Sequence, residues 1–380
     1  MRVAVVTCRY PSNSQPYAHM FVHARSRAYL AAGHSVKAFV PAMRPYQYVH
    51  DGVSVTGLTV QDIQKELSWA DAVMIHLVYH DPRRPMNGGV IYRYVEAEGV
   101  PCLFFLHGIE VQSIWSRRRD DIQPFRARSL ARWVFQDYYR LPRMVETVNK
   151  LSRSGNVRFV APSKWMLAEA QDQTGVDLRG VSAVVPNGID TDFFDFRVTP
   201  AAQRSKVLAI RPLFRAGKYG VDLALSTFER PLGNCRLSLV GEGPDAEEIN
   251  GWIARKPAAK IDLHVGFQHR DGIRSLHRTH GVYFAPTRMD AQGVSMCEAM
   301  SSGMPVVTFD VCAIPEFVED GISGLVGQID DLQGIRDAIE HLSDDQNLFE
   351  RLALGARKSA ERLDIRRTTN AEIELVQSIA

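Results

Sequence analysis

No stretch of the 380 residues approaches the run of about 20 apolar side chains that a helix needs to cross a bilayer, which excludes a helical membrane span. Low-complexity tracts are also missing. The composition, 45% apolar and 23% charged, predicts a globular chain long enough for two ordinary domains. The N-terminal MRVAVVTC has no basic leader region, no long apolar core and no small-residue cleavage site, so no signal peptide is expected. Cysteine is scarce: Cys8, Cys102, Cys235, Cys297 and Cys312 are scattered, odd in number and never spaced as Cys-x-x-Cys. That pattern argues against a disulfide framework and a structural zinc site, and predicts reduced thiols in a cytoplasmic protein. A P-loop lysine motif is absent, which argues against an ATPase.

Charge is nearly balanced overall, at +2, but unevenly spread. Residues 1–160 carry 21 Lys and Arg against 12 Asp and Glu, whereas the remainder carries 24 against 31. Much of the excess lies between residues 117 and 153, where Arg alternates with Trp133, Phe135, Tyr138 and Tyr139. Such a segment suits anionic lipid headgroups or an anionic acceptor. It equally suits a solvated helical surface with Arg stems over apolar neighbours. The second is favoured, because Pro142 is expected to interrupt a single long amphipathic helix. Nothing forms a nucleic-acid recognition motif.

The first half alternates strand and helix patterns. RVAVVTC, SVKAFVP, DAVMIHLV and PCLFFLHG read as short buried strands, and MFVHARSRAYLAAG reads as a helix closed by Gly33. The pattern stops at AVVPNGIDTDFF, where Pro-Asn-Gly signals a turn, and then restarts with KVLAIRP, CRLSLVGEGP, IDLHVGF, GVYFAP and MPVVTFD. Alternating βαβ units on both sides of that turn predict two α/β domains with doubly wound parallel sheets. Ligand loops are expected at the strand C-termini, and the cleft between domains is the default site.

His107 and Glu110 in FFLHGIE follow an apolar strand, at the sheet edge where such folds do chemistry; a strand-end His bonded to a carbonyl is an equal alternative. His76 ends a similar strand. In AIRPLFRAGKYGVDLAL, Arg211, Arg215 and Lys218 occupy a strand-to-helix turn, a pattern suited either to a diphosphate clamp or to a basic surface loop. LVGEGPDAEEI is a glycine turn without the full dinucleotide fingerprint. PTRMDAQGVSMCEAMSSG places Asp290 in a loop, Gly293 where backbone can approach a ligand, and Glu298 in an early helical turn. The two acids are too far apart to grip one atom. They suit separate hydroxyl-bearing rings of one ligand, with the amides of Gly293 to Ser295 facing an anion between. A carboxylate pair for glycoside hydrolysis is the rival, and the clustering of cations elsewhere in the sequence favours a phosphate-bearing ligand instead.

Taken together these segments resemble the retaining glycosyltransferases of family four, which have the GT-B fold. The likeness rests on acid-x7-acid running into EAMSSGMPVV and IPEFVEDGISGLV, on VVPNGIDTDFF, on Arg211 and Lys218 before GVDLAL, and on HGIE. The resemblance implies that Glu298 holds the ribose and Asp290 lies by the donor-sugar hydroxyls. Gln292, Gly293, Val294 and Ser295 would read sugar and phosphate, and Arg211 and Lys218 would neutralise the leaving diphosphate. His107 would sit beside the anomeric centre, Gly266, Phe267 and Gln268 near the base, and Ser14, Gln15, Tyr17, His107 and Glu110 near the acceptor. No metal or cofactor is implied; the nucleoside diphosphate sugar is a co-substrate, and no side chain is assigned as a covalent nucleophile.

Three positions depart from the pattern: Asp290 stands where Glu is usual, Gln292 where an aromatic is common, and YPSNSQPYAHM lacks a Gly-Gly loop.

The expected architecture is therefore an N-terminal Rossmann-like acceptor domain over 1–186, a donor domain over 187–364, and a C-terminal helix over 365–380 packing back on the first. Hinges are expected near Pro186 to Ile189 and before that helix. The expected activity is hexosyl transfer from a UDP- or GDP-sugar to an acceptor hydroxyl in glycolipid, polysaccharide or other glycoconjugate synthesis. A membrane-linked or anionic acceptor is the preferred expectation, with a soluble small molecule or growing polysaccharide as the rival; peripheral contact with the inner membrane face would go with the first, and no nucleic-acid partner is expected. The alternatives are a nucleotide-sugar epimerase and a non-catalytic nucleotide-sugar binding protein.

Overall fold

A computed structural model of the chain describes residues 1–117, 119, 122 and 127–380. The chain divides into two units: Met1–Gly188 with Ile365–Ala380, and Ile189–Asp364. The first crossing falls two residues beyond the 186/187 boundary expected from the Pro-Asn-Gly turn.

The first unit is built on an eight-stranded sheet. Its strands are β1 (Arg2–Thr7), β2 (Ser35–Pro41), β3 (Tyr46–His50), β4 (Val53–Leu58), β5 (Ala72–His76), β6 (Cys102–Phe105), β7 (Val157–Ala161) and β8 (Ser182–Val184). Their order is β3-β4-β2-β1-β5-β6-β7-β8, with β3 alone antiparallel to its neighbour. β5 and β6 are buried at every residue, as continuous apolar runs must be when both faces are covered. The β3–β4 hairpin escapes the strand reading because β3 is an exposed edge with no apolar alternation. The Asp51-Gly52 turn, with φ of 43° and 83°, is the local signal that marks it.

The second unit holds a six-stranded parallel sheet of β9 (Lys206–Ile210), β10 (Arg236–Gly241), β11 (Ile261–Val265), β12 (Val282–Ala285), β13 (Val306–Phe309) and β14 (Gly324–Gly327). The order β11-β10-β9-β12-β13-β14 is that of a doubly wound dinucleotide-binding sheet. In each unit the winding reverses once, between β1 and β5 and between β9 and β12. These switch points are where the loops after neighbouring strands part and leave a crevice.

The tail helix Ile365–Gln377 belongs to the first unit, and its Val376 joins the apolar core around Val22, Tyr29 and Phe105. Its Glu372 is buried and accepts from Arg25 Nε at 2.8 Å and from the Tyr29 hydroxyl. A buried pair of this kind specifies a seat more than it adds stability.

Pro142 does not break the chain's helical course. Helix Ala127–Phe135 passes through a π-helical turn, Gln136–Arg140, into helix Leu141–Leu151, where Pro142 lies in the first turn. The π turn absorbs the mismatch that proline's missing N–H creates. Arg118 and Arg126 of the basic segment lie outside the described residues.

Candidate active site

In the second unit the loop after β9 begins with Arg211. This side chain is buried, yet its Nε and Nη2 have no hydrogen-bond partner among the described residues, and its Nη1 lies 3.8 Å from Asp290 Oδ2. A buried guanidinium with two idle donors is poised for an anion. Lys218, half-buried, lies at the end of the same loop with its Nζ 5.1 Å from the Tyr219 ring centre. The Lys218 carbonyl accepts from Arg288 N at 2.9 Å and from Thr287 Oγ1 at 3.1 Å, which ties this loop to the loop after β12. Arg288 in turn forks onto Asp222, at 2.7 and 2.6 Å.

Two glycines make these approaches feasible. A Cβ on Gly220, which has φ of 63°, would sit 1.4 Å from the Pro286 carbonyl oxygen. A Cβ on Gly241 would sit 1.8 Å from the Arg211 carbonyl oxygen. The Gly-x-Gly turn, which lacks the dinucleotide fingerprint, thus lets the Arg211 loop run against β10's end.

The loop after β12 is shaped by Asp290. Its Oδ1 accepts from the amides of Gln292 at 3.1 Å and Gly293 at 2.8 Å. Gly293, at φ of 76°, then caps helix Val294–Ser301. Ser295 Oγ accepts from the Tyr283 hydroxyl at 2.8 Å, and Gln292 is buried. Glu298 lies in the second turn of this helix, half-buried. Burial pushes its carboxyl up to about 7; Arg270 opposes the shift and Asp190 adds to it. Arg270 and Asp190 are themselves paired at 2.7 Å. Gly266, Phe267 and Gln268 follow β11 at the same carboxyl edge of the sheet, where the Gly266 amide bonds the Gly241 carbonyl at 2.8 Å and Phe267 meets the His269 ring edge-on.

In the first unit His107 follows β6 and pairs with His76, which ends β5, at 3.0 Å between Nε2 and Nδ1. Burial, and after it the charge of Arg25, holds His107 well below the usual imidazole range, so it is neutral. The His107 amide donates to Glu110 Oε1. Glu110 is buried, its Oε2 has no hydrogen-bond partner, and burial pushes it up to about 7 against the pull of nearby backbone amides. Ser14 and Gln15 are exposed in a turn closed by Ser12 to Gln15 backbone bonds at 3.1 and 3.3 Å, and Tyr17 is exposed.

Sequence reasoning missed His19 and Thr7, whose side chains bond at 2.9 Å at β1's carboxyl end, and gave His76 little weight. His76 was legible only as the polar end of an apolar strand pattern, and His19 only as a loop residue ahead of a helix pattern. The fold makes them informative by placing them at the switch point.

Residues 204–345 match the family model described as Glycosyl transferases group 1. The chain is 24% identical over 230 residues to the sulfoquinovosyl transferase SQD2 of Arabidopsis thaliana, covering 56% of this chain and 44% of that one. It is 26% identical over 279 residues to the lipopolysaccharide core biosynthesis mannosyltransferase LpsB of Rhizobium meliloti, covering 68% and 74%. The chain spans 44% of the length of SQD2, 32% of an alpha-D-kanosaminyltransferase of Streptomyces kanamyceticus and 45% of AmsK of Erwinia amylovora, well short of two thirds of any of the three. In fold it resembles Anabaena Alr3699/HepE, solved in complex with UDP and glucose, with a TM-score of 0.73 at 15% identity over 100% of both chains. It likewise resembles the sucrose-phosphate synthase of Thermosynechococcus elongatus, with a TM-score of 0.75 at 15% identity over 99% and 98%. The family match is confined to residues 204–345, and the likeness to solved structures over the whole chain establishes the GT-B fold.

Proposed function

We propose that this protein is a retaining glycosyltransferase that moves a hexosyl group from a nucleoside diphosphate sugar to an acceptor hydroxyl. The observation that carries the proposal is Arg211: a buried cation with two unused donors at the switch point of the second unit. An anionic diphosphate is the ligand that such donors, Lys218 and the start of helix Val294–Ser301 would serve together. In this scheme Arg211 and Lys218 take up the charge that develops on the leaving diphosphate. Glu298 accepts the ribose hydroxyls. Neutral His107 offers an uncharged imidazole to the sugar, and Glu110 braces its backbone. No metal or cofactor is assigned to the transfer.

Lys218→Ala should lower turnover about 10²–10³-fold, as removal of one fixed oxyanion donor does elsewhere. Near-normal turnover would remove the clamp from the scheme. Incubating the donor alone separates an epimerase, which would convert it without an acceptor.

We infer further that the acceptor is lipid-linked and met at an anionic membrane surface. Helix Ala127–Phe135 buries none of its residues, and Leu130, Val134 and Tyr138 stay exposed beside Arg128 and Arg132. No helix among the described residues is long and apolar enough to span a bilayer. The chain should therefore co-sediment with anionic vesicles at low salt and detach as salt rises; failure to bind at low salt would overturn this.

A further inference from the structure

We propose that His23, His50 and Asp51, in the first unit, form a binding site for a divalent transition-metal ion of the Zn²⁺ or Ni²⁺ kind. None of the three is among the residues assigned to transfer. His23 lies 27 and 28 positions before the adjacent His50 and Asp51, and the cysteine spacing that spoke against zinc has no bearing on them. The fold brings one ligand atom of each within 4.8 Å of the other two.

The pieces are held in ways that suit a metal. His23 lies in the first turn of helix Met20–Ala31 and is buried, so its ring has little freedom. Its Nδ1 is 3.0 Å from the hydroxyl of buried Tyr10, which leaves Nε2 facing Asp51. Metal-bound imidazoles are oriented in this manner by a partner on the second nitrogen. His50 ends β3 and Asp51 opens the tight hairpin turn, so the two ligands are adjacent on a fixed bend. The rings of His23 and His50 are 4.6 Å apart.

Distances decide whether an ion fits. With metal–ligand bonds of about 2.0 Å, the edge of a tetrahedral site is about 3.3 Å. His23 Nε2 and Asp51 Oδ2 are already 3.2 Å apart. Only His50 has to swing inward, and it is half-buried at the rim rather than locked in the core. Asp51 is 57% exposed, which gives the ion a way in.

Without an ion, Nε2–H donates to Asp51 and the Tyr10 hydroxyl donates to Nδ1. With an ion, the proton sits on Nδ1 and Tyr10 accepts, a reversal that a hydroxyl permits. Two imidazoles and one carboxylate favour zinc, nickel or copper over magnesium or calcium. Arg27 Nη1, 3.9 Å from Asp51 Oδ2, is the competing cation. The bound ion would pin the β3–β4 hairpin to helix Met20–Ala31.

The test uses the untagged full-length chain, stripped of metal, titrated with zinc chloride by calorimetry and melted with and without zinc. One zinc per chain and a raised melting temperature are expected. His50→Ala and Asp51→Asn should each weaken binding more than about tenfold, and Tyr10→Phe about tenfold, the range an outer partner contributes. Asn tolerates the left-handed turn conformation of Asp51, so that variant stays informative if His50→Ala folds poorly. A chain that binds no zinc at millimolar concentration, or an Asp51→Asn chain that binds as the native one does, overturns the site.

Discussion

Asp290 and Glu298 stand eight residues apart, and their surroundings give them different roles. Asp290 turns Oδ1 back onto the amides of Gln292 and Gly293. The extra methylene of Glu would carry the carboxylate past those amides, which accounts for the shorter acid. Its other oxygen faces Arg211. Glu298 makes no such turn, and burial pushes its carboxyl up to about 7. An acid raised in the folded state stabilises it fully below its ordinary value of 4.5, and that contribution is lost as pH rises through about 7. The native chain should therefore lose melting temperature relative to Glu298→Gln between about pH 5 and pH 8. Nucleotide affinity should rise with pH over about 6 to 8 in the native chain and stay flat in Glu298→Gln, since a carboxylate accepts hydroxyl hydrogen bonds better than an acid. Parallel pH profiles for the two chains in calorimetry would contradict the ribose role.

At the scale of elements, the Arg211–Lys218 loop depends on helix Val221–Thr227 starting hard against the end of β12. Gly220 permits this, both by its φ of 63° and because a side chain there meets the Pro286 carbonyl. Gly220→Ala should lower the melting temperature and weaken nucleotide binding together, at a cost of about 1–3 kcal/mol from backbone strain alone. An Ala variant with native stability and affinity would show that the loop adapts.

Much at this scale was legible in the sequence. Val3–Val6 and Val73–Ile75 are apolar, mostly β-branched runs, and Val306–Phe309 is interrupted only by the β-branched Thr308; such runs have few homes other than a covered parallel sheet. The hairpin of β3 was not legible from periodicity, because an exposed edge strand needs no apolar face. Arg211 could be singled out as a cation at a strand end. That two of its donors would be buried without partners could not, because burial depends on β10 and β12, which lie far along the chain. The His76–His107 pair belongs to the same class: two strand ends 31 residues apart become neighbours only when β5 and β6 pair.

For the whole molecule, the proposed roles divide between the two units. Arg211, Lys218, Glu298 and the helix start belong to Ile189–Asp364; His76, His107 and Glu110 belong to the unit of Met1–Gly188 and Ile365–Ala380. In the second unit Arg211 follows β9 at the reversal of winding; in the first, His76 ends β5 at the reversal and His107 follows the next strand, β6. The central claim is that Arg211 receives the diphosphate of a nucleotide sugar. Calorimetry of a nucleoside diphosphate with the native chain, Arg211→Ala and His107→Ala tests it most directly. Arg211→Ala should weaken binding by about 2 kcal/mol or more, roughly 30-fold, while His107→Ala binds as the native chain does. If Arg211→Ala binds the diphosphate as tightly as the native chain, the clamp and the donor class inferred from it are wrong.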